Sequence, residues 1–263
     1  MNVLVWFRPK TVAKKAFSIF SKVRKGRVLP HQKQFLDNAK LEEVQMENHI
    51  IQTYTWKGSK ETVLLVHGWE SNSWRWHKLI EKLQTADYHI IAFDGPGHGY
   101  SSGTHLYVPL YAEALNKMLL KYNPTVVIGH SVGGMTVLYN EFKNPNPKIE
   151  KIITIGLPSE FDEILTHYQN LLSLNSKVMS VLKKYVKERF SFTPKEFSSA
   201  RFAVNNTKKG LLFHDKLDTI TPYHASVSVN KYWKGSQLIS TEGFGHSMHQ
   251  DEVNKQIIDF LAQ

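Results

Sequence analysis

The spacing of apolar positions changes period several times along the chain. Over Thr11–Lys25, Val12, Ala16, Phe17, Ile19, Phe20 and Val23 recur at roughly helical intervals, which predicts an N-terminal amphipathic helix. From His49 the period shortens. Ile50–Trp56 alternates like a strand, and Thr62–Val66 is a β-branched, apolar run. Trp74–Gln84 returns to helical spacing through Trp76, Leu79, Ile80 and Leu83, and Tyr88–Phe93 is again a buried-type strand. The same exchange continues with a helix around Leu110–Lys121, a strand at Thr125–Ile128, a helix near Val132–Phe142 and a strand at Lys151–Ile155. Strands alternating with helices imply βαβ units, a mainly parallel sheet and helices on both of its faces.

The alternation breaks between Pro158 and Thr207. Phe161–Phe190 reads as helix, with Ile164, Leu165, Tyr168, Leu171, Leu172, Val178, Val181, Leu182, Tyr185 and Val186 on recurring apolar positions. The sheet pattern resumes at Gly210–His214 and Ser236–Ile239, and a final helix covers about Asp251–Leu261. A helical insertion of this kind between two strands is expected to form a lid at about 158–207, with Leu171 and Leu172 in the wall of an apolar pocket.

Composition narrows the chemistry. In 263 residues there is no cysteine, which excludes disulfides, thiol catalysis and cysteine-held zinc or iron–sulfur centres. No apolar run approaches the ~20 residues of a membrane-spanning helix, so a cytoplasmic protein is expected, with peripheral membrane association left open. The formal charge of +10 is uneven. Residues 1–40 hold ten Lys or Arg against the single acid Asp37, whereas the rest of the chain is close to neutral. Residues 1–45 are therefore expected to form a basic helical arm on a domain spanning 46–263. The arm has two readings: a helix packed by Val12, Phe17 and Phe20 on the body, or a contact with an anionic surface through residues 1–40. Nucleic acid is set aside, because the body is neutral and no reading motif is present.

Gly129-His130-Ser131-Val132-Gly133 directly follows one predicted strand and opens a helix, the context in which G-x-S-x-G places a serine on a strained strand-to-helix turn. A serine hydroxyl needs a base, and the base an orienting acid. Downstream of Ser131, Asp215 and Asp218 lie just past the strand Gly210–His214, and His246 lies in Gly243-Phe244-Gly245-His246 between the last strand and the last helix. His246 and His249 have no partnering carboxylate pattern for a metal, and Gly95-Pro96-Gly97-His98-Gly99-Tyr100 is not a dinucleotide fingerprint. Neither a metal nor a cofactor is expected.

From about Ile50 onward the chain resembles the α/β-hydrolase family. His67-Gly68-Trp69, the turn Asp94-Gly95-Pro96-Gly97-His98-Gly99-Tyr100-Ser101, the elbow Gly129–Gly133, the segment His214–Pro222 and the pair Gly245-His246 carry the resemblance in the family's order. The resemblance implies Ser131 as nucleophile, His246 as base and Asp218, four residues before Pro222, as the acid in preference to Asp215. It also implies an oxyanion hole formed by the backbone N–H groups of Trp69 and Val132. One departure is Gly95-Pro96, where the family commonly has Arg after the aspartate. The expected function is a serine hydrolase cleaving a carboxylic ester or thioester with an apolar group. Acyl transfer, carbon–carbon bond hydrolysis by the same triad, or a non-catalytic binding role are the alternatives. The oligomeric state is not legible.

Overall fold

The computed structural model describes all 263 residues. Eight strands form one sheet in the order β1-β2-β4-β3-β5-β6-β7-β8. They are β1 (Lys40–Met46), β2 (His49–Trp56), β3 (Thr62–Val66), β4 (His89–Phe93), β5 (Val126–His130), β6 (Lys151–Ile155), β7 (Lys209–Asp215) and β8 (Ser236–Thr241). The pairs β1–β2 and β2–β4 are antiparallel, and every later pair is parallel.

Helices cover both faces, which is why the central strands read as unbroken apolar runs. Leu64 and Val66 of β3 join Val127, Ile152 and Leu212 in a core shared with α4 (Val108–Tyr122), α5 (Val132–Lys143), α8 (Ser199–Ala203) and α9 (His224–Tyr232). Their neighbours Val63 and Leu65 point the other way. With Ile128, Ile153 and Phe213 they meet α2 (Pro30–Asp37), α3 (His77–Thr85) and α10 (Asp251–Leu261). The period of two along each strand thus divides the molecule into two cores.

Two regions differ from the sequence reading. Residues 40–46 are not part of a helical arm but an edge strand hydrogen-bonded to β2 from Lys40↔Thr55 to Met46↔His49. Only Val44 and Met46 of β1 are buried, so its alternation is too weak to be conspicuous among Glu42, Glu43 and Gln45. The helical stretch after β6 is also divided. α6 (Phe161–Leu171) and α7 (Ser176–Phe190) are separated by a turn in which the Asn175 side chain accepts from the Val178 N–H and caps α7.

The N-terminal helix, α1 (Pro9–Ser21), lies against this insertion. Val12, Ala16 and Phe17 form a third apolar cluster with Leu165, Tyr168, Val178, Met179, Leu182 and Val186. Phe17 meets the rings of Tyr107, Tyr185 and Phe190 at centroid distances of 5.4–5.6 Å, and the Arg189 guanidinium sits 5.2 Å from the Phe17 ring. The apolar face of α1 is therefore consumed by packing. Beyond the helix, residues 22–29 cross the turn after β4, where the Arg27 guanidinium donates to the carbonyls of Gly99, Ser101 and Gly103.

Candidate active site

Ser131 stands between the end of β5 and the start of α5 with φ +52° and ψ −126°. This is left-handed backbone that a serine adopts only when its surroundings impose it. The imposition comes from close approach. A side chain at Gly133 would put its Cβ 2.4 Å from the Val66 carbonyl oxygen and 2.5 Å from that of His67, so α5 can start against β3 only with glycine there. Likewise a Cβ at Gly68 would lie 2.7 Å from His130 Nδ1 and 3.1 Å from Ser131 Cβ. The loop after β3 therefore runs directly against the serine. Neither the Trp69 nor the Val132 amide is used in a loop or cap hydrogen bond within the protein. One of these two free donors sits at a helix N-terminus, where the dipole favours negative charge.

Asp218 and His246 lie in the loops that follow β7 and β8. Asp218 Oδ2 lies 2.7 Å from His246 Nδ1, with the carboxylate fully buried and the imidazole 17% exposed. The other oxygen, Oδ1, accepts from the N–H groups of Ile220 (2.8 Å) and Thr221 (3.0 Å), and the Thr221 hydroxyl lies 2.9 Å from Oδ2. Burial pushes the Asp218 carboxyl up, but His214, His246 and these amides outweigh it and hold the group well below the usual carboxylate range. An ionised Asp218 accepts from Nδ1–H of His246 and leaves Nε2 of the ring as a proton acceptor. Asp215 contacts no histidine. It accepts from Leu217 N, Thr241 Oγ1, Gly243 N and Phe244 N, and so ties the β8–α10 loop to the end of β7.

Several residues that the sequence reading left aside hold the His246 loop. His130 Nε2 donates to the His246 carbonyl at 3.0 Å, and the two rings are 4.8 Å apart. Burial, reinforced by Arg75, keeps the His130 imidazole well below its ordinary pKa, hence neutral. The buried Arg75 donates to the Ser247 carbonyl at 2.9 Å and stacks on Trp76, and burial brings its pKa down to about 9. His214 donates from Nε2 to the Thr221 carbonyl and accepts at Nδ1 from Ser226, which shapes the acid turn. Gly156 (φ +57°) leaves room for the imidazole, since a Cβ there would stand 3.2 Å from His246 Nδ1. His130 and His214 lie inside segments the sequence singled out, but nothing in one-dimensional spacing reveals which carbonyl each would reach. Arg75 had no such signal.

The Asp94 turn supports this edge. The buried Asp94 carboxylate accepts from Tyr54 Oη, Ser73 N, Ser73 Oγ and Tyr100 N. His67 accepts from the Gly95 N–H at Nε2 and donates from Nδ1 to the Gly68 carbonyl. His98 accepts from the Glu70 N–H. Burial lowers His67 to about 4 and His98 to about 3, so both are neutral structural groups.

Phe161 and Ile164 of α6 pack, like Trp69 and Val132, against the core cluster shared by α4, α5, α8 and α9. Leu171 and Leu172, expected in a pocket wall, are instead 71% and 39% exposed at the C-terminal end of α6. One turn earlier on the helix, the Tyr168 ring is buried against α1. A cleft of about 770 Å³ lies at the opposite edge of the sheet among Lys60, Glu150, Lys208 and Lys209, and contains no serine or histidine.

Residues 61–182 match the family model described as alpha/beta hydrolase fold. The chain is 28% identical over 168 residues to a pimeloyl-[acyl-carrier protein] methyl ester esterase of Vibrio parahaemolyticus, covering 59% of this chain and 61% of that protein. It is 30% identical over 118 residues to a human serine hydrolase-like protein, covering 40% of this chain and 57% of the relative. The chain thus spans less than two thirds of the length of either relative. Among solved structures, Est1E from Butyrivibrio proteoclasticus, with ferulic acid bound, superposes with a TM-score of 0.71 at 19% identity, over 84% of this chain and 98% of that one. The mouse alpha/beta hydrolase domain-containing protein 10 gives 0.67 at 19% identity, over 85% and 97%. At that identity the likeness speaks for the fold. With the strand order, the parallel crossovers and the matched segment all in agreement, the chain has the α/β-hydrolase fold.

Proposed function

We propose that this protein is a serine hydrolase that cleaves a carboxylic ester or thioester through an acyl-enzyme. The observation that carries the reading is the buried Asp218–His246 pair at 2.7 Å, together with a serine held at φ +52° at the strand-to-helix turn. Ser131 Oγ attacks the carbonyl carbon while His246 Nε2 takes its proton. The tetrahedral oxyanion rests on the amides of Trp69 and Val132. His246 then protonates the leaving alcohol or thiol, and a water activated by the same nitrogen releases the acid and restores Ser131. Asp218 remains ionised throughout and holds the imidazole in the required tautomer.

The cap formed by α6–α8, with α1 bound to its outer side, supplies the apolar wall through Phe161 and Ile164, which favours substrates with an apolar group. The esterases among the relatives support ester hydrolysis as the reaction class. The test is a panel of p-nitrophenyl esters and matching thioesters of increasing acyl length, with fluorophosphonate labelling alongside. Labelling at Ser131 together with ester turnover is expected. An intact fold with neither labelling nor turnover would reduce the protein to a binding module.

A further inference from the structure

We infer that the outer tip of the cap is a docking surface for an anionic phospholipid bilayer. The tip consists of the turn Leu4–Trp6 that precedes α1 and the turn between α6 and α7. The two are bound together: Asn2 Nδ2 donates to the Ser173 carbonyl, and Asn2 accepts from the Asn175 N–H and from Asn175 Nδ2. Val5 and Leu174 pack inward, and four large apolar side chains around them point outward. Val3 is 75% exposed, Trp6 66%, Phe7 79% and Leu171 71%. Such a cluster of exposed large apolar groups marks a contact surface.

The charge around it has one sign. Residues 1–21 and 164–187 contain eight Lys or Arg and no Asp or Glu. Lys177 Nζ lies 5.4 Å from the Trp6 ring, and Arg8, Lys10 and Lys14 are all exposed. Lys183 and Lys184 are engaged by Asp162 and Glu188, so the bases nearest the tip are the ones left for a partner. An aromatic residue with lysines beside it is the combination that settles at the boundary between headgroups and acyl chains. The apolar groups sit on two turns, which offer neither an unpaired strand edge nor a groove for a protein segment. Because the apolar face of α1 is spent on α7, docking proceeds by insertion of the tip rather than by laying the helix on the membrane. No helix of the protein is long and apolar enough to cross a bilayer.

The experiment is co-sedimentation of the full chain with phosphatidylcholine vesicles and with mixed phosphatidylcholine–phosphatidylglycerol vesicles. Tryptophan emission is followed in parallel. Binding to the anionic vesicles at low salt is expected, with a blue shift, and release at about 0.5 M salt, where the screening length falls to about 4 Å. The conservative Trp6→Phe variant keeps the binding and loses most of the blue shift. The double change Trp6→Ser, Phe7→Ser weakens binding at least tenfold. Lys10→Ala and Lys177→Ala weaken it by about fivefold each. All these variants leave thermal unfolding and turnover of a short soluble ester unchanged, since none touches the core or the site. No sedimentation at low salt overturns the proposal. So does equal binding to neutral vesicles, binding that ignores the double change, self-association that buries Trp6, or displacement by nucleic acid without a blue shift.

Discussion

The edge of the sheet that carries Ser131 and the helical insertion proposed as its cap are built by different means. At the sheet edge, positions are set by hydrogen bonds and by backbone contacts that admit only glycine. Asp218 accepts two amides, His246 is held through its own carbonyl by His130, Gly68 lets the loop after β3 close on the serine, and Gly133 lets α5 start against β3. In the cap, α1, α6 and α7 meet through aromatic and aliphatic packing, and Phe17 alone touches three rings. Directional bonds fix an atom to a few tenths of an ångström, which proton transfer requires. Apolar packing fixes volume and tolerates exchange of side chains, which suits the acyl-group selection proposed for the cap.

The largest effect expected at the sheet edge is from Ser131→Ala. It should lower kcat by on the order of 10⁵-fold, with thermal unfolding unchanged, and His246→Ala should come close to it. Asp218→Asn is next, at roughly 10⁴-fold in kcat, because the amide favours the wrong imidazole tautomer. Asp215→Asn is its counterpart. This residue binds only loop donors, so its cost is expected in melting temperature rather than in kcat; if Asp215→Asn proves the more damaging to turnover, Asp218 is not the acid.

In the cap, Phe17→Ala should destabilise the protein by about 3–5 kcal/mol, as for other buried aromatics. Phe161→Ser should raise KM for long acyl esters several-fold while leaving acetate esters nearly unaffected. Equal effects on both substrates would mean that the cap only stabilises the fold. Leu171→Ser, outside the site, should change neither KM.

A pH scan sharpens the contrast further. His67, His98 and His249 are held at about 4, about 3 and about 4 by burial, against roughly 6.5 in an unfolded chain. Below pH 6.5 the unfolded state therefore binds more protons than the folded one. Their stabilising contribution is complete above that value and is lost as the pH falls toward 3–4. The melting temperature should be level from pH 7 to 8 and decline steadily below 6.5. His67 and His98 brace the Asp94 turn, so hydrogen exchange should report opening there before the α1–α7 contact, which contains no buried histidine. Simultaneous opening would erase the distinction between the two regions.

What could be read in one dimension was whatever depends on neighbours in the chain. Unbroken apolar runs such as Val63–Val66 announce strands covered on both faces, because side-chain alternation needs no knowledge of partners. Glycines at 129 and 133 around Ser131 announce a turn that only small residues permit. The order of Ser131, Asp218 and His246 follows the chain, and resemblance preferred Asp218 to Asp215 before any distance was available.

Tertiary structure decided the rest. β1 became a strand because Val44 and Met46 found the sheet edge, although its local pattern is mostly polar. The basic helix α1 joined the cap because its apolar stripe matches α7, a pairing between residues more than 150 positions apart. Leu171 looked like a pocket residue by helical spacing yet projects outward at the C-terminal end of α6. Arg75 gained its role only when folding brought the Ser247 carbonyl to it. Periodicity tells which face of an element is apolar; which surface that face meets is settled by contacts between distant segments, and those exist only in the folded chain.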